Sequence, residues 1–258
     1  MPSFENLRVD ESGSIATISL HRPHRLNALS RDLLGEIVDV AAWLHDRNDL
    51  RVVIVRGSNG NFSAGFDLDD FVADAPSTSP RESADLGRRA TEALARVPQI
   101  TIAAVDGHCI GGGLVLVSAC DLRYASETAR FRIPEVDLGI PLAWGGIPRL
   151  VREIGPALTK ELVLTCRLFD ALEAMSIGFL NGVVQAEDLT NHVEAVAQSL
   201  ASKPLYALRT TKNQVEAVMD EIASTAHSTT DADVLAYALR DPESREVSKR
   251  YLAERRNT

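Results

Sequence analysis

Apolar and polar positions set up a strand pattern at the start of the chain. Val9 and then Ile15 to Leu20 flank the turn residues Glu11-Ser12-Gly13-Ser14, which predicts an opening β-hairpin. Beyond Arg22-Pro23 the period lengthens. Leu33, Leu34, Ile37, Val38, Ala41 and Leu44 recur at three- and four-residue spacing behind Ser30, a residue suited to cap a helix. Val52-Val53-Ile54-Val55, within Arg51 to Arg56, is then a continuous β-branched run, the pattern of a strand buried on both faces. Hairpin, helix and buried strand in this order predict an α/β fold.

Residues 57–66 read as a polar, glycine-bearing loop, and Pro76-Ser77-Thr78-Ser79-Pro80 as a second loop between two helical segments. A helix through Leu86, Ala90, Ala93 and Leu94 ends before Pro98, and Ile100 to Val105 is another buried strand. Leu122 to Ala125 implies a third strand–helix copy, although the copies differ too much in sequence for a solenoid. Past about residue 150 the pattern becomes mostly helical. Asp170-Ala171-Leu172-Glu173 spells a capping box, and helices are expected over 187–201, 205–226 and 231–254, punctuated by Pro204 and Asp241-Pro242. The expected division is a core over residues 1–200 and a helical region over 201–258 suited to an interface.

Composition narrows the partners more than the fold. A chain of 258 residues, 45% hydrophobic and 24% charged, buries a full core as one large domain. Its net charge of −9 repels phosphate backbones and anionic bilayers, so neither nucleic acid nor a membrane is an expected partner. Cys109, Cys120 and Cys166 lack C-x-x-C spacing and are expected to be reduced thiols of a cytoplasmic protein. Met1 to Asn6 show no basic flank or apolar run of a secretory leader. The longest apolar stretch, near Cys109 to Cys120, is too short and glycine-rich to span a bilayer. Lys249-Arg250 and Arg255-Arg256 read as a solvated basic face.

Two segments carry candidate chemistry: Asn61 to Leu68 (NFSAGFDL) and Asp106 to Leu114 (DGHCIGGGL). Both are glycine-bearing turns after apolar strands, where a backbone without Cβ atoms approaches a ligand closely and turns N–H groups toward developing negative charge. Two such turns can form an oxyanion hole, although a Gly-Gly-Gly turn taken alone is more often a structural accommodation. Other motifs are absent. Ile110-Gly111-Gly112-Gly113-Leu114 lacks the G-x-G-x-x-G spacing of dinucleotide folds, there is no G-x-x-x-x-G-K-[ST] phosphate loop, and the six histidines form no H-E-x-x-H zinc pattern. Asn61-x-Ser63-x-Gly65 lacks the first glycine of a nucleophile elbow. Nothing in the sequence calls for a metal or a redox cofactor.

Read in order, the motifs resemble one family. They are Arg22-Pro23, Leu26-Asn27-Ala28-Leu29, Phe62-Ser63-Ala64-Gly65-Phe66-Asp67-Leu68, Gly111-Gly112-Gly113 with Ala119-Cys120-Asp121-Leu122-Arg123, and Pro134-Glu135 with Leu138-Gly139 before Gly145-Gly146. Over about residues 4–225 the chain resembles the enoyl-CoA hydratase/isomerase (crotonase) family. The resemblance implies an α/β spiral of β-β-α repeats with a helical C-terminal trimerisation region, and homotrimers that can pair into hexamers. It implies acyl-CoA substrates, with coenzyme A entering as part of the substrate and no separate cofactor. By motif position, the amides of Ala64 and Gly112 match the pair that holds the thioester oxygen, and Arg25, Leu26, Ala64, Asp67, Leu68 and Gly112 match the path of the CoA moiety.

The chain departs from the hydratase pattern at one carboxylate. Hydratases of the family use a glutamate two residues after the Gly-Gly-Gly turn and another after the later proline; here these positions are Val115 and Glu135. Valine neither orients water nor transfers a proton, and loss of one partner of an acid/base pair costs factors of about 10² to 10⁴. One carboxylate beside an oxyanion hole suits allylic isomerisation, which moves the double bond of a 3-enoyl-CoA to position 2. Phe66 after Ala64-Gly65 also resembles the isomerases, whereas Val115 and Ala143 occupy the places of the extra aspartates of dienoyl-CoA isomerases. Weak hydration, thioester hydrolysis and non-catalytic acyl-CoA binding are the alternatives.

Phe66, His108, Val115, Leu142 and Trp144 are expected around the pocket, where apolar walls would lift the pKa of Glu135. Outside the family context Glu135 reads as a plain loop carboxylate, His108 as a structural residue, Asp137 as a salt-bridge partner and Cys109 as a small buried hydrophobe. The close of the chain, Tyr251 to Thr258, differs from the basic-proline-aromatic ending of the family.

Overall fold

The opening hairpin forms where the pattern places it. In a computed structural model that describes residues 2–72 and 80–256, β1 (Leu7–Ser12) pairs antiparallel with β2 (Ile15–Leu20) around Gly13. Ser30 caps α1 (Arg31–His45), accepting the Leu33 amide on its side-chain oxygen at 3.2 Å. The buried stripe of α1 is Leu33, Leu34, Ile37, Val40, Ala41 and Leu44; Val40 lies on it, one turn from Ile37, while Val38 falls on the flank. β3 (Val52–Gly57) then runs parallel to β2.

The remaining elements, in order, are α2 (Leu68–Val72), α3 (Pro80–Ala95), β4 (Ile100–Val105), β5 (His108–Ile110), α4 (Gly112–Ser118), β6 (Leu122–Ser126), β7 (Arg130–Arg132) and α5 (Gly146–Thr165). After them come β8 (Phe169–Asp170), α6 (Ala171–Ser176), β9 (Gly182–Val184), α7 (Leu189–Ala201), α8 (Leu205–Ala223), α9 (Asp231–Ala238) and α10 (Pro242–Arg256). Of the loop expected at Pro76 to Pro80, residues 76–79 lie outside the described residues and Pro80 opens α3.

A six-stranded sheet of order β1-β2-β3-β4-β6-β9 lies beside a three-stranded sheet of order β5-β7-β8. The chain therefore climbs as a spiral of β-β-α repeats: β4 in the large sheet, β5 in the small one, then α4; next β6, β7 and α5. The strand–helix repeat expected from pattern is incomplete, because β5 and β7 are three residues each, too short to show a period. Both faces of β3 and β4 are covered. Val53, Val55 and Ala103 join the main core, and Val52, Ile54, Ile102 and Ala104 pack against Leu189, Val193 and Ala197 of α7. Such burial stabilises by about 1.5 to 3 kcal/mol per large side chain.

Two helical expectations are revised, and a third helix carries a break of its own. The helix expected over 231–254 is two, α9 and α10, broken at Asp241-Pro242 because proline supplies no amide and clashes with the preceding turn. Only half of the capping box forms: Asp170 accepts the Glu173 amide at 2.9 Å, while the Glu173 carboxylate pairs with Arg167. α5 contains Gly155 at φ +75° before Pro156, a break that masks its period. The three cysteines are buried and unpaired, and among the described residues no helix is long and apolar enough to cross a membrane.

The C-terminal helices fold back onto the segment between β7 and α5. Ser248 donates its hydroxyl to the Leu138 carbonyl, and Asp231 accepts the Gly145 amide at 2.8 Å. A Cβ on Gly139, at φ +72°, would stand 2.6 Å from the Ser244 carbonyl oxygen, so α10 sits directly on this turn.

Candidate active site

The two glycine turns meet through main-chain bonding. Phe62 donates to the Asp106 carbonyl at 2.8 Å, Ser63 to that of His108 at 2.8 Å, and Ile110 to that of Ser63 at 3.0 Å. On its other side the same segment pairs with residues 26–29. Ala64 donates to Leu26 at 2.9 Å, Leu29 to Gly65 at 2.8 Å, and Asp67 to Leu29 at 3.1 Å. Peptide groups along an extended segment point alternately to either side. With the Gly65 carbonyl and the Asp67 amide turned toward Leu29, the Phe66 N–H faces away from it.

That other side is where Gly65 abuts the second turn. Gly65 has φ +93°, and a Cβ there would lie 2.9 Å from the Ile110 carbonyl oxygen and 3.9 Å from the Gly112 nitrogen. Gly112 opens α4. Among the described residues, neither the Phe66 nor the Gly112 amide donates to a protein acceptor. The expectation for Ala64 is corrected here: its N–H is already bonded to the Leu26 carbonyl, and the free amide on this segment is that of Phe66, two residues on.

Glu135 follows Pro134 in a turn closed by the Leu138 and Ile140 amides on its carbonyl, at 3.0 and 2.9 Å. Its carboxylate lies against the other glycine turn: a Cβ on Gly111, at φ +50°, would meet Glu135 Oε1 at 2.7 Å. Only glycine fits there. Oε2 is buried and, among the described residues, has no hydrogen-bond partner. Desolvation pushes the pKa up to about 7, against a smaller lowering by a backbone hydrogen bond. Val115, whose amide bonds to Gly111 one helical turn back, is 1% exposed. Val115 and Leu142 close round Gly146, where a Cβ would meet Val115 Cγ2 at 2.9 Å and Leu142 Cδ2 at 3.0 Å. The wall beside Glu135 is apolar.

Trp144 completes it. The residue is 8% exposed and takes φ +62°, a conformation that costs a bulky side chain about 1 to 3 kcal/mol and persists only when neighbours over-determine it. Its carbonyl accepts Thr91 Oγ1 at 2.9 Å and Arg149 Nη1 at 3.2 Å. The indole stands edge-to-face with Phe66, centroids 5.7 Å apart and planes at 89°. It rests on two glycines, since a Cβ on Gly112 would fall 2.3 Å from Cζ3 and one on Gly87 1.9 Å from Cε2. Sequence reasoning missed Gly87, Thr91, Arg149 and Asp231. Gly87 did leave a signal, because a glycine inside a helix costs about 1 kcal/mol and so marks a packing reason.

The remaining expected residues separate into two groups. Glu135 lies against Gly111, to whose carbonyl the Val115 amide bonds; Trp144 lies against Gly112 and Phe66, and Leu142 meets Val115 at Gly146. Arg25, Leu26 and Leu68 make other contacts: Arg25 pairs with Asp69 at 2.7 Å, Leu26 is 45% exposed at φ 48°, and Leu68 starts α2. Asp67 is corrected from a ligand-facing group to a latch, because its buried carboxylate holds Arg22 Nη1 at 2.8 Å and the Asp69 amide at 3.1 Å. Buried Asn27 secures the same junction, donating to the Ser58 and Asn61 carbonyls at 2.9 and 2.7 Å.

His108 is corrected too. The short strand β5 turns Cys109 inward and His108 outward, where Nδ1 lies 2.7 Å from Asn61 Oδ1, so His108 is exposed and not a pocket wall. Asp137 pairs with Arg132 at 2.6 Å.

Two amides without a protein acceptor among the described residues and one desolvated carboxylate thus lie at the paired glycine turns of a β-β-α spiral. A family profile described as enoyl-CoA hydratase/isomerase matches residues 10–258. The chain belongs to the enoyl-CoA hydratase/isomerase family, and the match runs through α9 and α10, beyond the residue-225 limit of the motif resemblance. It is 34% identical over 241 residues to a crotonyl-CoA hydratase of Syntrophomonas wolfei, covering 93% of this chain and 92% of that one. Over 222 residues it is also 34% identical to the peroxisomal Delta(3,5)-Delta(2,4)-dienoyl-CoA isomerase of Arabidopsis thaliana, covering 81% and 80%. Its fold matches, at a TM-score of 0.77 and 30% identity, a Thermobifida fusca YX protein assigned as an enoyl-CoA hydratase and solved in complex with acetoacetyl-CoA, covering 90% and 95%.

Proposed function

We propose that this protein is a single-base enoyl-CoA isomerase that converts 3-enoyl-CoA to 2-enoyl-CoA. The observation that carries the reading is the lone carboxylate. Glu135 sets Oε1 against Gly111 while its buried Oε2 has no hydrogen-bond partner among the described residues, and the position one turn into α4 is the buried Val115. In this reading the thioester oxygen accepts the Phe66 and Gly112 amides. Glu135 takes a proton from C2, the negative charge moves onto the thioester oxygen as a dienolate forms, and the same carboxyl returns the proton to C4. No water or second acid takes part. A pKa of about 7 suits both halves of the shuttle, because the group is readily deprotonated and gives the proton back as readily.

Support for the substrate class comes from the relatives, which include a crotonyl-CoA hydratase and a structure holding acetoacetyl-CoA. The CoA moiety then runs past Arg25, Leu26 and Leu68, with coenzyme A as part of the substrate. The exposed apolar residues Val215, Val218 and Ile222 on α8 suit burial between copies in a homotrimer or a pair of trimers, which light scattering at known concentration measures.

Hydration remains the second reading, favoured by the name of the relative from S. wolfei. Incubation with 2-enoyl-CoA and 3-enoyl-CoA in parallel, with products identified by mass and chromatography, tests both. Interconversion of the two enoyl esters supports isomerisation; efficient formation of 3-hydroxyacyl-CoA overturns it. Release of free CoA thiol points to a hydrolase, and full recovery of a tightly bound ester to a non-catalytic binder.

A further inference from the structure

We propose that Trp144 is the specificity-determining residue of this site and that it restricts the acyl group to short chains; the proposal rests on the thioester carbonyl being held at Gly112. Glu135 lies against Gly111 and the indole of Trp144 against Gly112, so an acyl group whose carbonyl is bound at Gly112 leaves it with the carboxylate and the ring as its immediate neighbours. The ring is seated from several directions. α4 supports it at Gly112, α3 supports it at Gly87, and Phe66 meets it edge-on at 5.7 Å. Any side chain at either glycine would run into the ring, so the two backbones are shaped to admit it.

Its main chain is equally constrained. Thr91 and Arg149 hold the Trp144 carbonyl, and Asp231 of α9 holds the next amide, at Gly145. The strained φ of +62° is thus fixed from α3, α5 and α9 together. A ring held in this way cannot swing aside without moving a helix, so it acts as a fixed end wall and not as a door.

Calorimetric titration of the full chain with butyryl-CoA and decanoyl-CoA tests the proposal. These saturated esters carry no double bond to shift, so the readout is independent of turnover. The wild type is expected to bind butyryl-CoA at least about tenfold more tightly than decanoyl-CoA. Trp144→Ala is expected to raise the decanoyl-to-butyryl affinity ratio by about tenfold or more, since each newly buried methylene is worth about fourfold in affinity. Trp144→Phe should give an intermediate ratio and covers the case in which the alanine variant fails to fold. Equal binding of both esters by the wild type, or an unchanged ratio in a folded variant, overturns the proposal. If the wild type binds neither ester, the acyl-CoA reading itself fails and the assignment of Trp144 falls with it.

Discussion

The wall made by residues 62–67 and Gly111–Gly113 is tied to its neighbours by main-chain hydrogen bonds, to residues 26–29 on one side and to β5 on the other. The facing wall, residues 134–145, takes its distant support from side chains: Ser248 on Leu138, Asp231 on Gly145, Thr91 and Arg149 on Trp144. The difference follows from what each wall presents. In the proposed reaction two amides share one oxygen and need angular rigidity, which a strand-like ladder supplies. In the same proposal a carboxylate serves one carbon and then another and an indole sets a shape, and both would depend on packing, which remote residues adjust.

The sharpest test of this contrast is Glu135→Gln. It should lower turnover of 3-enoyl-CoA by about 10⁴, the upper end of what one proton-transfer group supplies, while leaving binding of a CoA ester within a few fold, measured by rapid-quench assay and calorimetry. An active variant would remove Glu135 from the reaction. The donor wall is tested next by exchanging single amides for esters through semisynthesis. Losing the Phe66 N–H should cost about 10² to 10³ in kcat, whereas losing the Ala64 N–H should cost about 1 kcal/mol of stability and leave kcat within a few fold.

The pH dependence separates the walls further. The base acts when deprotonated, so kcat/KM should rise with pH through about 7 and level off above it, an acid limb that Glu135→Gln eliminates. Stability carries the opposite sign. The folded-state pKa is raised, so folding holds the proton more tightly than the unfolded chain does, and Glu135 loses stability as pH rises from 4.5 to about 7. Glu135→Gln should therefore melt higher than wild type at pH 8, by the equivalent of about 1 to 3 kcal/mol, with little difference at pH 4. Smallest is the effect of Asp231→Ala, which should cost about 1 kcal/mol and alter the facing wall alone, seen as a severalfold loss of kcat with the Phe66–Gly112 pair intact.

Legibility followed the length scale of the signal. β3 and β4 showed as β-branched runs because both faces are buried, and Ser30 showed as a cap because a hydroxyl before a 3.6-residue stripe has one use there. β5 and β7 were silent, since three residues cannot display a period. At the site, Glu135, Gly112, Val115, Leu142 and Trp144 were all legible as positions. Which amide was free was not, because it depends on partners across the sheet: the Leu26 carbonyl that takes Ala64, and Leu29, which turns Phe66 the other way. Asp67 and His108 were likewise misplaced by motif alone, one claimed by Arg22 and the other turned outward by strand alternation.

The contacts from Asp231 and Ser248 also bear on how the molecule comes into being. A ribosome delivers the amino-terminal part first, so the nascent spiral can order its amides while the props of the Glu135 turn are still unsynthesised. Prematurely terminated products lacking α9 and α10 would carry a half-built pocket, and acquisition of ligand affinity during translation should lag behind acquisition of the sheets.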